Sequence, residues 1–209
     1  MANFGWCSPA NRARTSRRMT PLWQTDSLDE LESLIWSHLG RAVVDAVQPW
    51  SLPTVGTCNG AEPDVRTMVL REVDRTWRRL VAYSDARAEK VAQVRAAPAT
   101  AWHFYDPRSR VQLRARGLSV VEHQTDFSRR VWEMVPEANR ANYRTMGPPG
   151  TVIPHPAEGH VFAPGGAENF ALIVTTVSRL DWLWLAPAGH RRAVFKWSEG
   201  RWQGQWTIP

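Results

Sequence analysis

The apolar residues change their period once along this chain, and that change constrains the fold more than any other feature. From Leu28, the apolar residues Leu28, Leu31, Ile35 and Leu39 recur at helical spacing. They follow Ser27-Leu28-Asp29-Glu30, in which Ser27 and Glu30 have the spacing of a capping box. Glu32 and His38 lie off the stripe, and Pro49 and Pro53 end the unit in an extended linker. From Thr54 onward the period is two, in short runs divided by turn residues, and such a pattern builds antiparallel sheet.

Asn59-Gly60 is a hairpin signal between a strand at Thr54–Cys58 and a return strand at Val65–Arg71. The return strand is apolar on both parities except at Arg66 and Arg71, which predicts a central, buried position. Leu80–Ser84 reads as the next strand. Asp85 is placed to cap a helix to about Ala97, with Val91 and Val94 inward and Pro98 as its stop. Ala99–Tyr105 is an aromatic-rich strand, and Asp106-Pro107-Arg108-Ser109 a turn. Arg110–Glu122 alternates, with Val111, Leu113 and Ala115 on one face and Gln112, Arg114 and Arg116 on the other; Gly117 marks a bulge in it. Asp126 caps a second helix that carries Phe127, Val131, Trp132 and Val135. Gly147–Gly166, with Pro148, Pro149, Pro154, Pro156 and Pro164, is a long loop of the kind that often carries function. Asn169–Val177, Leu180–Ala186, Arg191–Trp197 and Arg201–Thr207 return to strands. Short antiparallel strands with marginal helices predict a mostly β, α+β chain, a closed or partly closed barrel.

A chain of 209 residues is the size of one domain with a short appendage and can bury a core without staples. Cys7 and Cys58 are too few for a disulfide framework, so a reducing, cytoplasmic setting is expected. No apolar run approaches the ~18 residues of a membrane helix. The formal charge is +6, and Arg12, Arg14, Arg17 and Arg18 precede the first acid, Asp26. Residues 1–24 therefore read as a basic tail, expected to be disordered; a transit peptide, or a start at Met19, are the other readings. The remaining arginines form no run, so no nucleic-acid partner is expected. Twelve tryptophans are more than a chain of this size is expected to hide, which points to an interface. Gly165-Gly166 has the surroundings of neither a dinucleotide fingerprint nor a phosphate loop, and the two cysteines lack zinc-site spacing. His155, Glu158 and His160 share the proline-rich loop, where nothing fixes their spacing, and no metal is expected.

Arg66, Arg71, Ser84, Arg87 and Lys90 form the informative group. Two guanidiniums bracket an apolar strand, a hydroxyl ends the next one, and two cations open the following helix, whose first N–H groups are free. Such a set can bind phosphate. It can equally pair internally with Asp64, Glu72, Asp85 or Glu89.

These residues also carry a resemblance. Arg66-Thr67-Met68-Val69-Leu70-Arg71 resembles the Arg-x-Val-Leu-Leu-Lys strand of the pyridoxamine 5′-phosphate oxidase-like, FMN-binding split-barrel proteins. Tyr83-Ser84 is similar to their Tyr-Thr pair, and Ala88-Glu89-Lys90 stands at their Ser-Arg-Lys. Ala97-Pro98 matches the end of their helix, Val111-Gln112-Leu113 their Gln-Val segment, and Trp182-Leu183-Trp184 with His190-Arg191-Arg192 their Trp…His-x-Arg segment. Ser84-Asp85-Ala86-Arg87 is similar to the Thr-Asp-x-Arg of one branch, and the likeness runs from about Leu52 to Thr207.

The resemblance implies an antiparallel split barrel over residues 25–209 as a single FMN-binding domain. It implies that Arg66, Arg71, Tyr83, Ser84, Arg87 and Lys90 hold the FMN phosphate and ribityl chain, and that the backbone of Met68, Val69 and Leu70 lies along the flavin ring. It implies a homodimer in which Gln112, Trp184 and Arg192 reach the flavin from the other subunit. Arg71 and His190 become candidates for contact with a small substrate. Several positions depart from the pattern: Glu89 replaces a phosphate-binding Arg, Arg71 a Lys, Asn169-Phe170-Ala171 a Trp-Gly-Gly, and Ala188 the Arg of an Arg-x-His pair. The substrate side is altered more than the cofactor side, which implies an FMN oxidoreductase other than a vitamin B6 oxidase, or a flavin-storage protein on the same fold.

Overall fold

In the computed structural model, which describes residues 23–209, nine strands and four α-helices follow one another. They are α1 (Leu28–Val44), β1 (Thr54–Asn59), β2 (Glu62–Thr67), β3 (Glu72–Asp74), β4 (Arg79–Asp85), α2 (Glu89–Ala96), β5 (Ala99–Asp106), β6 (Val111–His123), α3 (Asp126–Met134), α4 (Glu137–Arg140), β7 (Phe170–Trp184), β8 (Arg191–Ser198) and β9 (Arg201–Thr207). Every strand pair is antiparallel, in the order β2-β1-β5-β6-β7-β4-β3, with β8 also on β7 and β9 on β8. The sheet does not close on itself, and the mostly β split barrel with peripheral helices is the fold. The basic residues Arg12 to Arg18 lie outside the described residues.

The split has a local cause. β6 pairs with β7 along its whole length, but the register shifts between Arg116 and Gly117, where Gly117 faces Val177 and Arg116 faces Arg179. Ser178 is therefore an extra residue on β7. Below it β7 pairs with β4 (Ala171 with Ser84, Thr176 with Arg79); above it β7 pairs with β8 (Arg179 with Lys196, Trp184 with Arg191). The bulge also inverts the alternation, so that Ile173 and Val177 point into the main core below it and Leu180, Trp182 and Trp184 above it. This inversion is why two separate strands were expected over Asn169–Ala186, where one runs through. Only glycine fits at 117, because a Cβ would overlap the Thr176 carbonyl and lie 2.9 Å from the Val177 Cα.

α1 starts as expected, with the Glu30 N–H donating to the Ser27 hydroxyl and the Thr25 hydroxyl to the Glu30 carboxylate. It buries Leu31, Ile35, Trp36 and Leu39 and lies across the edge strands β3 and β9. Glu32, expected off the buried stripe, is only 7% exposed; Arg75, from the β3–β4 turn, neutralises it at 2.6 Å. Burial pushes the Glu32 carboxyl up despite that partner. The β3–β4 hairpin itself, with Asp74 accepting the Trp77 N–H, has no counterpart in the sequence reading.

Two further expectations need correction. The return strand after Asn59-Gly60 ends at Thr67, and β2 is an edge, not a central strand. Val65 is 66% exposed, and 68–71 continue as extended chain outside the sheet. The tryptophans go mainly to the core: Trp23, Trp36, Trp50, Trp102 and Trp182 are buried, and among the described tryptophans only Trp77 and Trp206 are exposed. They fill the barrel with Phe104, Leu113 and Phe195, Trp50 lying 5.6 Å from Phe104 and Trp23 6.0 Å from Trp182. A second, smaller cluster of Phe170, Leu172, Val131 and Val135 packs α3 on β7.

Candidate functional site

The segment between β2 and β3 is held on one side at residues 68 and 70 and on the other only at Arg71, next to β4. Met68 and Leu70 donate their N–H groups to Pro53 and Ser51, each at 2.9 Å, and Arg71 donates to Val81 at 2.8 Å. In extended chain, successive peptides point opposite ways, so the Val69 N–H turns from the 51–53 segment toward the side on which Val69 lines a cleft. That open cleft has a volume of about 310 Å³. Thr67, Met68, Val69 and Arg71 form one wall, and Tyr83, Ser84 and Asp85 at the end of β4 another. Lys90 of α2 and Asn142 and Tyr143 of a short 3₁₀ turn complete it.

The four cations of the expected phosphate pocket fall into two classes. Arg66 is engaged by the Asp64 carboxylate and donates to Thr57 Oγ1 at 2.6 Å and Gln93 Oε1 at 3.1 Å. Arg87 grips Asp85 through Nε (3.0 Å) and Nη2 (2.7 Å), and its Nη1 donates to the Thr145 carbonyl at 2.9 Å. Both are internal pairs, and neither residue lines the cleft. Asp85 is the last residue of β4 and not a helix cap; Ala88 is the N-cap of α2, without a side-chain bond. Arg71 and Lys90, by contrast, make no side-chain hydrogen bond or ion pair with any described residue. Arg71 lies 5.1 Å over the Tyr83 ring. Burial, and then the nearby Arg66 charge, pull the Lys90 ammonium below the ordinary lysine range. Burial pushes the Tyr143 hydroxyl up to about 12, against the opposing charge of Arg71, so it remains a donor at neutral pH.

The other expected residues lie elsewhere. Gln112, Leu183 and Arg192 stand in one cross-strand row of β6, β7 and β8. Ser84 pairs with Ala171 and Gln112 with Leu183 on the same strand β7, a contour of about 40 Å at ~3.3 Å per residue. Trp184, expected beside Gln112 and Arg192, is on the opposite face because of the bulge: it is buried, donates to the Ser109 carbonyl at 3.1 Å and lines a separate hollow with Trp23 and His38. His190 is exposed before β8 and lines no part of the cleft.

Residues 29–123 match the family model described as pyridoxamine 5′-phosphate oxidase, FMN-binding domain. That stretch is a flavin domain of the pyridoxamine 5′-phosphate oxidase family. No curated protein matches the sequence. Among solved structures, a pyridoxamine 5′-phosphate oxidase-related, FMN-binding protein of Nostoc punctiforme PCC 73102 is 19% identical, with a TM-score of 0.69 over 85% of this chain and 95% of that one. PhzG of Burkholderia lata 383, in complex with tetrahydrophenazine-1-carboxylic acid, is 12% identical, with a TM-score of 0.71 over 91% and 98% of the two chains. A protein of the pyridoxinephosphate oxidase family from Clostridium acetobutylicum is 12% identical, with a TM-score of 0.51 over 79% and 99%. These likenesses carry the fold.

FMN is the cofactor of this flavin domain, and the cleft fits it. Two cations without an ion pair among the described residues and the Ser84 hydroxyl suit a phosphate, and the extended Met68–Leu70 backbone, whose Val69 N–H has no partner among those residues, suits the edge of a planar ring. Thr67, Asp85, Asn142 and Tyr143 line the cleft without having been expected. Asn142-Tyr143 lies where neither period is visible, so the sequence carries no signal for that wall.

Proposed function

We propose that this chain is an FMN-dependent oxidoreductase for a small anionic substrate, with the flavin held between two copies. The observation that carries the reading is that Arg71 and Lys90, neither with an anionic partner among the described residues, line the same cleft as Val69, whose N–H has no partner among them. Lys90 and Ser84 take the cofactor phosphate, while Arg66 and Arg87, each held by its own carboxylate, add positive potential behind them. Met68–Leu70 present backbone to the ring. Tyr83 and Tyr143 wall off water, and Arg71 is left to meet the substrate. FMN, when bound, supplies the two-electron redox chemistry. The PhzG complex holds a ring compound with a carboxylate, the kind of group that an unpaired guanidinium binds.

The proposed homodimer is supported by the spacing of the expected residues. Gln112 and Arg192 are too far along β7 to meet the cleft of their own chain, but a second copy could bring them to it. Their face of the sheet continues past Arg116 into an apolar surface that no described residue covers. Val65, Gly56 and Ala101 stand in one row with Arg116, and Ala99 and Leu118 in the next. Leu118 is 62% and Val120 56% exposed. This face, not the tryptophans, supplies the interface, and Leu183 takes the place expected for Trp184.

One observation favours a second reading, a non-catalytic flavin carrier. Among the described lining residues there is no histidine, and Asp85, the one carboxylate, is committed to Arg87. Among the described residues no helix is long and apolar enough to cross a membrane, and Cys58 is a free, half-buried thiol; a cytoplasmic location remains part of the proposal. Titration of the purified protein with FMN, with light scattering at the same concentration, tests the cofactor and the dimer. Turnover of reduced nicotinamide or molecular oxygen by the loaded protein separates enzyme from carrier: tight FMN binding without turnover under either condition would remove the enzymatic reading.

A further inference from the structure

Asp181 is a buried carboxylate on the outer face of β7, only 4% exposed, and two cations converge on it. Arg192 of β8 binds it side-on, through Nε at 3.0 Å and Nη2 at 2.9 Å. Arg114 of β6 donates Nη2 to the same Oδ2 at 2.5 Å. Neither arginine has another ion pair among the described residues. The arrangement follows from register: Arg114 stands directly opposite Asp181, and Arg192 stands opposite Leu183, one step diagonal to it. The fork of Arg192 uses two of its three nitrogens, which leaves Nη1 turned away from the carboxylate. Gln112, in the row of Arg192, is steadied in the same manner from the row behind, its Oε1 lying 3.2 Å from His103 Nε2.

We infer that Asp181 is a positioning residue: it fixes the Arg192 guanidinium so that its free edge is presented to a flavin bound by the second copy, and Arg114 keeps Asp181 ionised for that task. The inference rests on the split-site reading given above. A planar guanidinium bound through Nε and one Nη is locked in its plane, whereas a free arginine samples many rotamers that must be frozen when a ligand binds. Two guanidiniums on a single carboxylate also leave one net positive charge on a face meant to meet an anion. The Asp181 carboxyl supports this: burial pushes it up, but Arg192 and Arg114 outweigh burial and hold it below the usual carboxylate range.

The test is a double-mutant cycle read by FMN fluorescence titration, with light scattering at the same concentration to keep the comparison among dimers. Arg192→Ala and Asp181→Asn are each expected to weaken FMN binding by roughly 5- to 30-fold. The double variant is expected to be no weaker than Arg192→Ala, because Asp181 acts only through that side chain. Arg192→Lys, which keeps the charge but cannot make the side-on fork, is expected to behave like Arg192→Ala, and it serves should Asp181→Asn fail to fold. Full affinity in Asp181→Asn beside a loss in Arg192→Ala, additive losses in the double variant, or full affinity in Arg192→Lys would each overturn the positioning role while leaving the split site standing. Full affinity in a dimeric Arg192→Ala protein would overturn both.

Discussion

Lys90 makes no ion pair or side-chain hydrogen bond with any described residue, whereas Arg66 is fully occupied, and the two should fail differently. Lys90→Ala is expected to weaken FMN binding by ~10- to 150-fold, since a charge-assisted contact contributes ~1.5–3 kcal/mol. It should leave thermal stability unchanged or slightly higher, because a half-buried ammonium without a partner is a liability in the fold. Arg66→Ala strands Thr57, Gln93 and Asp64 and should lower the unfolding free energy by ~1–3 kcal/mol. Arg95→Ala, at an exposed position on α2 away from both the cleft and the proposed interface, should do neither. Titration and thermal melts of the three variants check this; unaltered FMN affinity in Lys90→Ala would place the phosphate elsewhere. His38 sets a second expectation. Burial against Trp23 and Trp50, then the Arg41 charge, lower its titration to about 4, from about 6.5 in the unfolded chain. Protonation therefore favours the unfolded chain. The stability that His38 contributes is complete above pH 6.5 and is lost as pH falls toward 4, on the order of 1–3 kcal/mol. Denaturant midpoints between pH 4 and 7 should show that slope and lose it in His38→Phe. At this scale the sequence revealed the cations but not their partners. Asp64 and Asp85 each precede an arginine by two positions, and that spacing leaves internal pairing and phosphate binding equally open.

At the level of elements, the pairing of β6 with β7 depends on one missing side chain. Gly117→Ala should cost ~2–4 kcal/mol, because the new methyl group meets rigid backbone and not a movable side chain. That corresponds to a fall of ~5–15 °C in melting temperature for a domain of this size. Gly40→Ala is the matched control. It lies inside α1 with nothing within 4 Å of the added carbon, and should stabilise by ~0.5–1 kcal/mol. Gly117 was legible as a bulge because a glycine interrupts an otherwise regular alternation. The extra residue, Ser178, was not, since a change of parity within an apolar run looks like a break between two strands. β2 misled for a related reason. Residues apolar on both faces imply burial on both faces, yet Val65 is bare in the isolated chain, and its hydrophobicity serves contact between copies on the reading proposed here.

For the whole molecule, oligomerisation and cofactor binding should rise and fall together. Leu118→Glu, in the middle of the exposed apolar face, should give monomers by light scattering and lose FMN affinity in the same sample. Val44→Glu, more exposed still but at the end of α1, should leave both unchanged. A monomeric Leu118→Glu protein with undiminished FMN affinity would argue against a shared site. The substrate side gives a further expectation. Pyridoxamine 5′-phosphate brings a second phosphate, and of the two cations that the oxidases offer it, one position is Ala188 here and the other is Arg71, whose planar fork does not mimic a compact ammonium. Steady-state oxidation of that compound by FMN-loaded protein should fall below ~10⁴ M⁻¹s⁻¹ in kcat/KM.

The order of the strands also dictates when a flavin can be received during synthesis. Residues 54–123 can pair as β2-β1-β5-β6 while the ribosome is still at work, but β4 has only β3 and β7 as neighbours in the sheet. The β3–β4 hairpin therefore waits, with no sheet to join, until Phe170–Trp184 has been made. Tyr83, Ser84 and Asp85 reach their places opposite Met68 and Val69 only at that moment. Until then β6 presents an open edge beside Leu118 and Val120, the kind of surface that chaperones cover. If the cleft holds FMN as proposed, cofactor loading belongs to the finished chain, since a nascent polypeptide halted before residue 170 would carry half a barrel and lack the β4 wall of the cleft.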